Sequence, residues 1–283
     1  TPAMREGSGL VDFQEKYPNR YFDVGIAEQH AMTFAAGLAC NKVKPIVAIY
    51  STFLQRAYDQ LIHDVVVQDL DVLLAIDRAG IVGADGETHQ GIYDISFLRV
   101  LPKVVLMTPS DESEMVKMLT TGYNHIGLAA VRYPRGNITG IEFENRLSES
   151  ITIGKARKVR EGVDIVYLVF ETFLSSIKKV AESNNATIID MRFVKPIDED
   201  IIVEVCNTHR YIFTVEDNTI LGGAGSAVNE VLVKYGINKI VKNLGIPDET
   251  IAHGNQNDIL ASIGMDYNGI LGTTSNHIKF MEE

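Results

Sequence analysis

The carboxylate Glu28 is the residue on which a functional interpretation of this sequence depends. It follows a stretch at residues 20–24 that is predicted to be a strand, and it opens an apolar helical pattern. The first turn of a helix favours a carboxylate for electrostatic reasons alone, because its N–H groups carry partial positive charge. Glu28 is therefore either an ordinary helix-start carboxylate or a reactive group, and the residues around it must distinguish these two interpretations.

Two arginines have neighbours suited to an anionic ligand. Arg78 is followed closely by Gly80, and Arg135 is followed directly by Gly136. A guanidinium is a planar cation that can hold phosphate through two parallel hydrogen bonds, and glycine lets the backbone approach a ligand closely. The alternative for each arginine is a surface ion pair.

Further reactive groups lie in a polar loop that contains several glycines. The loop includes the run Gly83-Ala84-Asp85-Gly86-Glu87-Thr88-His89-Gln90-Gly91. A histidine that titrates near neutral pH can move a proton or hydrogen-bond a hydroxyl or carbonyl oxygen. We interpret His89 and Asp85 as site residues, while an ordinary surface histidine is the simpler alternative.

Three candidate residues lie along one predicted strand-to-helix turn. Tyr50 and Phe53 could present an aromatic face to a planar ring, although core packing would equally explain Phe53. Arg56 comes about one helical turn after Phe53, so it points either into the same crevice or into solvent.

One glycine-rich run invites a phosphate-binding interpretation. Gly222-Gly223-Ala224-Gly225-Ser226-Ala227 opens a predicted helix after a strand, where anions often bind. The run has no lysine and lacks the spacing of a P-loop. A tight turn with close helix packing is the preferred interpretation.

Alternating strand and helix patterns position all these residues. In the first half the predicted strands are 20–24, 44–50, 72–77, 104–108 and 129–133, and the predicted helices are 28–41, 53–68 and 110–122, the last capped by Ser110. In the second half the predicted strands are 164–170, 187–190, 211–215 and 239–243, and the predicted helices are 173–183, 198–208 and 224–235. This alternation predicts an α/β fold with two consecutive parallel-sheet domains, at 1–140 and 151–283, joined by a linker at 141–150.

The candidate residues share a position within this architecture. Glu28, Tyr50, the loop 78–94 and Arg135 each follow a predicted strand. In open parallel sheets, ligands bind beyond the carboxyl ends of the strands. We therefore expect these residues to line one crevice.

Composition excludes some classes of partner. The formal net charge of −11 argues against nucleic acid and anionic membrane surfaces, since both are bound through an excess of Lys and Arg. No apolar run approaches the ~18 residues of a membrane span. Cys40 and Cys206 lie far apart within apolar patterns. They are expected to be buried free thiols in a reducing compartment, which favours the cytoplasm.

The motifs that contain these residues resemble a known family. They are Tyr21-Phe22-Asp23-Val24-Gly25-Ile26-Ala27-Glu28-Gln29-His30-Ala31, Tyr50-Ser51-Thr52-Phe53-Leu54-Gln55-Arg56-Ala57-Tyr58-Asp59-Gln60, Ile76-Asp77-Arg78-Ala79-Gly80, Arg132-Tyr133-Pro134-Arg135-Gly136 and Val215-Glu216-Asp217-Asn218. Over essentially its whole length the sequence resembles the 1-deoxy-D-xylulose-5-phosphate synthases, which are thiamine-diphosphate enzymes of the transketolase-like group. The resemblance implies a pyrimidine-binding domain followed by a transketolase C-terminal domain.

The resemblance also implies an activity and roles for the candidate residues. Members of the family condense pyruvate with glyceraldehyde 3-phosphate and release carbon dioxide, which begins the non-mevalonate isoprenoid pathway and supplies thiamine and pyridoxal synthesis. Carried over to the matching positions, the cofactor-binding residues are Glu28, which hydrogen-bonds the pyrimidine, Phe53, which stacks on it, Tyr50 and Arg56. The implied catalytic residues are Glu28, His89 and Asp85, and the implied substrate-binding residues are Tyr50, Arg78, Asp85, His89 and Arg135.

Part of the family's architecture does not occur in this sequence. The family's N-terminal domain holds the cofactor's diphosphate through Mg²⁺ with a Gly-Asp-Gly motif and a later Asn, whereas Ala84-Asp85-Gly86 lacks the first glycine. The sequence also begins Thr-Pro-Ala rather than with Met, so we expect a piece of a longer protein. The resemblance implies no metal ligand in this chain, a homodimer, and the absent N-terminal domain as a partner.

Other functions remain open from the sequence. A transketolase, or the β-subunit of a 2-oxo acid dehydrogenase, would use the same cofactor. The residues Asp77-Arg78-Ala79-Gly80 and Gly91-Ile92-Tyr93-Asp94, which flank the histidine loop, favour the synthase. A hypothesis of a different class is a non-catalytic two-domain binding fragment, and the isolated chain is expected to be inactive.

Overall fold

The computed structural model describes residues 1–136 and 149–283, which form two five-stranded sheets with helices packed against their faces. The first part contains helices α1 (Val11–Lys16), α2 (Glu28–Cys40), α3 (Ser51–Leu54), α4 (Tyr58–Gln60), α5 (Asp94–Leu98) and α6 (Glu112–Asn124), and strands β1 (Ile46–Tyr50), β2 (Leu73–Ala79), β3 (Val105–Met107) and β4 (Ala129–Pro134). The second part contains strands β5 (Arg157–Arg160), β6 (Ile165–Val169), β7 (Thr187–Asp190), β8 (Phe193–Lys195), β9 (Tyr211–Thr219) and β10 (Val241–Ile246), and helices α7 (Leu174–Asn184), α8 (Glu199–Thr208), α9 (Ala224–Tyr235), α10 (Gln256–Ser262) and α11 (Tyr267–Glu282).

Both sheets are parallel except at one edge. The strand order is β1-β2-β4-β3-β8 in the first sheet and β10-β9-β6-β7-β5 in the second. β8, which comes from the second part of the chain, runs antiparallel to β3, and β5 runs antiparallel to β7. The predicted α/β class with two consecutive sheets is confirmed. The two antiparallel edge strands were not predicted, because they are short and β5 is largely basic rather than apolar.

The strands are apolar on both sides because helices cover both faces of a parallel sheet. A continuous apolar cluster links Met32 and Leu74 of the first domain to Leu168 and Val228 of the second. On its other face, the second sheet packs against α7 and α11. Within the described residues, no helix combines the length and the apolarity that a bilayer crossing needs.

Residues 20–24 do not form the predicted strand, and the stretch before α2 is irregular. Asp23 accepts hydrogen bonds from the backbone N–H groups of Ala3 at 3.0 Å and Gly25 at 2.9 Å. Local polar contacts therefore hold this stretch in place of a sheet ladder. Glu28 begins α2, as the apolar periodicity predicts.

The predicted helix at 53–68 is not a regular α-helix. It begins at Ser51, and 3-10 and π segments at Gln55–Ala57 and Leu61–Val66 interrupt it. Periodicity identified the helical stretch, but it does not resolve which hydrogen-bond spacing each turn adopts.

The cap of α6 is Asp111 rather than the predicted Ser110. The carboxylate of Asp111 accepts the backbone N–H of Glu114 at 2.8 Å. Ser110 instead donates its hydroxyl hydrogen to Asp190 at 2.8 Å. The serine thus joins the two domains, a role that its local sequence does not indicate.

Two further expectations concern the thiols and the linker. Cys206 is buried as predicted, and desolvation raises the pKa of its thiol to about 11. Cys40, at the end of α2, is exposed, so the prediction that it is buried was wrong. The predicted linker at 141–150 lies outside the described residues except for its last two positions.

Candidate active site

Glu28 is a buried carboxylate with a cationic partner. It is the first residue of α2 and only 3% exposed. Arg56, on the 3-10 turn after α3, donates from Nη1 to Oε1 of Glu28 at 2.6 Å. The guanidinium side chain is 53% exposed, so the pair stands at the boundary between the core and the solvent.

Phe53 is the centre of an aromatic cluster beside this pair. Its ring stacks on Tyr50, with the centroids 5.6 Å apart and the planes inclined by 11°. The His89 ring meets Phe53 edge-on at 5.3 Å, and the Arg56 guanidinium lies over Phe53 at 4.8 Å. The structure therefore brings His89, from the polar loop, against the aromatic residues and the arginine of the turn at residues 50–56.

The guanidinium of Arg78 is already engaged by protein groups. It lies 3.9 Å above the Tyr50 ring and donates to Asp77 at 3.1 Å, to Asp85 at 3.3 Å and to the carbonyl of Gly7 at 3.2 Å. Burial raises the pKa of the Tyr50 phenol, partly offset by the Arg78 charge. Arg78 is thus oriented firmly, and a ligand must compete for its donors.

Arg135 is more exposed than Arg78. Its side chain is 46% exposed, and its Nε lies 3.5 Å from the same Asp85 oxygen that Arg78 contacts. Asp85 therefore stands between the two predicted anion-binding arginines. Of the two, Arg135 is the more accessible from solvent.

Two site residues were missed in the sequence. Asp77 precedes Arg78 at the end of β2, and desolvation raises its pKa despite the adjacent guanidinium. Gly7 packs so closely on Tyr50 that a Cβ there would lie 1.9 Å from the phenolic oxygen. Asp77 could have been predicted, because it is a carboxylate near the end of an apolar strand. The contact of Gly7 with Tyr50 could not, because it depends on the path of the N-terminal segment.

The loop that carries Asp85 and His89 is closed at its base. Gly80 and Gly91 exchange two backbone hydrogen bonds, at 2.7 and 2.9 Å. Gly80 has φ +75°, and a Cβ there would lie 1.7 Å from a carboxylate oxygen of Asp217. Only glycine fits this close approach between the loop and the second domain.

His89 has its own local support. Thr88 places its hydroxyl 3.0 Å from Nδ1 of His89, and Thr52 donates to the carbonyl of Thr88 at 2.8 Å. The half-buried ring is therefore held against the Phe53 side chain of α3.

Arg132 anchors the same loop from inside the protein. It is fully buried and donates to Asp94 at 2.7 Å, to the carbonyls of Gly91 and Asp217 at 3.1 Å each, and to Glu171. Burial raises the pKa of Glu171 to about 8, although the guanidinium opposes the shift. Arg132 thus joins the end of the loop to the second domain and does not line the crevice.

The glycine-rich run of the second domain holds no phosphate cradle. The N–H groups of Ala224 and Gly225 donate to the buried carboxylate of Glu216, at 2.6 and 2.8 Å. A Cβ on Gly225 would lie 2.7 Å from Thr214 and from Asn243. A protein carboxylate therefore occupies the helix N-terminus, and the preferred interpretation of close helix packing is confirmed.

Comparisons with known proteins identify the family of the chain. The family model described as "Transketolase, pyrimidine binding domain" matches residues 1–140, and "Transketolase, C-terminal domain" matches residues 154–270. The 1-deoxy-D-xylulose-5-phosphate synthase of Aeromonas hydrophila is 59% identical over 95% of this chain and 43% of its own length. That of Idiomarina loihiensis is 54% identical over 99% of this chain and 45% of its own length. The chain thus spans less than half the length of these relatives.

Solved structures show the same fold at lower identity. A structure described as "Split gene transketolase, inactive beta4 tetramer" has a TM-score of 0.86 at 24% identity and covers 98% of this chain and 90% of its own. The transketolase of Campylobacter jejuni has a TM-score of 0.71 at 16% identity and covers 89% of this chain and 39% of its own. The chain therefore belongs to the transketolase family, as a pyrimidine-binding domain followed by a C-terminal domain, and it is similar to a C-terminal portion of the 1-deoxy-D-xylulose-5-phosphate synthases.

Proposed function

We propose that this chain forms the pyrimidine-binding side of a thiamine-diphosphate active site in a 1-deoxy-D-xylulose-5-phosphate synthase. The intact enzyme would be a cytoplasmic homodimer that condenses pyruvate with glyceraldehyde 3-phosphate. The observation that carries the proposal is the buried Glu28 beside Phe53, at the edge where Asp85 lies between two arginines. The high identity to curated synthases supports the choice of reaction.

The residues present fit the pyrimidine half of the cofactor. An aminopyrimidine is planar, offers N–H donors and needs a carboxylate beside its ring nitrogen. The guanidinium of Arg56, which is also a planar N–H donor, hydrogen-bonds Glu28 and lies over Phe53. The carboxylate and the aromatic face therefore suit a planar N–H donor, and Arg56 would leave the Phe53 face when the pyrimidine binds while keeping its hydrogen bond to Oε1 of Glu28. When bound, the cofactor supplies the electron sink that lets pyruvate lose carbon dioxide.

Each residue near the cofactor has a defined task in this proposal. Arg56 uses Oε1 of Glu28, which leaves Oε2 to accept a hydrogen bond from the pyrimidine. Glu28 would thereby hold a proton on the ring nitrogen, and its burial strengthens that bond by excluding water. Tyr50 would hold the Phe53 ring in position, because the two rings are already stacked.

The substrate phosphate would be met first by Arg135. Its guanidinium is the more exposed of the two, whereas Arg78 is held by Asp77, Asp85 and Gly7. Because Asp85 contacts both guanidinium groups, a phosphate bound at Arg135 would also lie close to Arg78. His89 would hydrogen-bond a hydroxyl or carbonyl oxygen of the substrates. Mg²⁺ and the diphosphate would be held by the part of the protein that this chain does not span.

Product analysis on the intact protein tests the reaction. With thiamine diphosphate, Mg²⁺, pyruvate and glyceraldehyde 3-phosphate, we expect stoichiometric carbon dioxide and 1-deoxy-D-xylulose 5-phosphate. Pyruvate without the aldehyde serves as the control. Sedoheptulose phosphate formed from pentose phosphates would instead identify a transketolase, and acyl transfer to a lipoyl group would identify a dehydrogenase subunit.

The isolated chain is expected to bind the cofactor weakly, because diphosphate and metal contribute much of the attraction. Titration calorimetry of the 283-residue chain with thiamine diphosphate, with and without Mg²⁺, measures this directly. The intact protein is the matched comparison, and we expect its affinity to be at least about 100-fold higher. Tight, magnesium-dependent binding by the chain alone would show that its anchors are complete. A non-catalytic protein would bind no thiamine diphosphate, either as the isolated chain or as the intact protein.

A further inference from the structure

The loop of residues 81–90, which carries Asp85 and His89, has a backbone with much freedom to lose. It contains two glycines and consists largely of two successive 3-10 turns. The N–H of Gly86 donates to the carbonyl of Gly83 at 3.1 Å, and the N–H of His89 donates to the carbonyl of Gly86 at 3.1 Å. The turns are therefore linked in series, so a shift at the start of the loop is carried on to Asp85 and His89.

Side chains of the second domain bind both backbone groups of Ile81, the first residue of this loop. The N–H of Ile81 donates to the carboxylate of Asp217, with both oxygens 3.3 Å away. The carbonyl of Ile81 accepts a hydrogen bond from Nε2 of Gln256 at 2.6 Å. Asp217 belongs to β9 and Gln256 begins α10. Two separate elements of the second domain therefore fix one residue at the start of the loop.

Close packing accompanies these hydrogen bonds. Gly83 lies so near the start of α10 that a Cβ there would stand 2.8 Å from the backbone nitrogen of Gln256. Ile81 is fully buried in an apolar cluster that includes Ile251 and Ile259 of the second domain. The second domain thus holds the loop by hydrogen bonds, by backbone contact and by apolar packing.

We propose, on the basis of the function proposed above, that Gln256 is a positioning residue for the substrate site. Its side chain holds the carbonyl of Ile81, and the linked turns carry that position to Asp85 and His89. Asp217 holds the N–H of the same residue. The second domain thereby acts on the substrates indirectly, by fixing the place of two side chains that belong to the first domain.

The position of the loop should matter more for the phosphorylated aldehyde than for the cofactor. Asp85 lies 3.3 Å from the guanidinium of Arg78 and 3.5 Å from that of Arg135, so it moves with the loop between the two anion-binding side chains. Glu28 and Phe53, the proposed cofactor residues, lie on α2 and α3 instead. Misplacing a substrate-positioning group by about 1 Å can cost about 100-fold in rate. Release of the loop should therefore weaken capture of the aldehyde and leave the cofactor affinity nearly unchanged.

Substitutions of Gln256 in the intact protein test this assignment. Gln256→Ala removes the donor to Ile81, whereas Gln256→Glu keeps the size of the side chain and loses only the donor. Both variants should fold, because Gln256 is only half-buried, and Asn257→Ala, at the exposed next position of α10, is the matched control. In both Gln256 variants we expect KM for glyceraldehyde 3-phosphate to rise by about tenfold or more, with Kd for thiamine diphosphate within about twofold of the unsubstituted protein.

Hydrogen exchange measures the loop without reference to catalysis. In the intact protein without substrates, the amides of residues 81–90 should exchange at least about tenfold faster in both Gln256 variants, and at an unchanged rate in Asn257→Ala. Unchanged exchange in the Gln256 variants would overturn the proposal. So would a lower turnover number with an unchanged KM, because a merely structural role reduces only the amount of folded protein.

Failure of the proposed function has a different signature. If the unsubstituted intact protein forms no 1-deoxy-D-xylulose 5-phosphate, the proposed reaction is wrong. The exchange rates of residues 81–90 would still decide whether Gln256 holds the loop, because they depend on no substrate or cofactor.

Discussion

Replacing Glu28 by glutamine in the intact protein is expected to lower product formation by about 100- to 10,000-fold, the usual range for a lost acid–base group. Glutamine keeps the shape of the side chain but loses the negative charge that would hold a proton on the pyrimidine. Glu28 is 3% exposed, so water cannot easily replace the missing carboxylate. The measurement is the turnover number at saturating pyruvate and glyceraldehyde 3-phosphate.

The fold should survive this substitution, which separates a chemical role from a structural one. Arg56 is half exposed and can be solvated when its partner loses its charge, so the melting temperature should change by only a few degrees. Glu15→Gln, on the exposed face of α1, is the matched control and should leave the turnover number unchanged. Glu28→Gln protein that retains more than a tenth of the activity would show that Glu28 is only a helix-start carboxylate.

Replacing Arg132 by methionine is expected to destabilise the chain by about 3 to 5 kcal/mol, the usual cost of removing one partner of a buried ion pair. Methionine approximates the length of the side chain, but it leaves Asp94 and Glu171 without their cation. It also removes the donors to the carbonyls of Gly91 and Asp217. Because folded proteins are typically stable by only about 5 to 15 kcal/mol, this loss is measurable by urea unfolding.

The loss should depend on pH in a defined direction. Burial already raises the pKa of Glu171 to about 8 and that of Asp217 to about 6 with Arg132 present. Without the cation, the folded variant must bind more protons than its unfolded chain, so its stability falls as the pH rises. We expect the destabilisation to be larger at pH 8 than at pH 5.

A surface arginine provides the comparison. Arg210 is 59% exposed and forms an ion pair with Glu282 at 3.6 Å. Arg210→Met should change the free energy of unfolding by less than about 1 kcal/mol, with little dependence on pH, because surface pairs are screened by water. Equal losses for the two variants would show that Arg132 is not the buried junction described above.

The sequence by itself determined the class of fold and the edge at which the candidate residues meet. Helical and strand periodicities are local patterns, and the carboxyl ends of parallel strands converge whatever the loops do. Tyr50 and the loop that carries His89 could therefore be assigned to one crevice in advance, and the structure places both rings against Phe53. Glu28 joins them through Arg56, although residues 20–24 before it do not form the predicted strand. The functional roles of these residues stay predictions until they are tested.

Only the tertiary structure shows which polar groups form hydrogen bonds and ion pairs with one another. Arg78 and Arg135 look alike in sequence, but the fold engages the first with Asp77 and Gly7 and leaves the second more exposed. Arg132 stands three residues before Arg135, yet it is fully buried between two domains. Burial and pairing depend on segments distant in the chain, which no local pattern records.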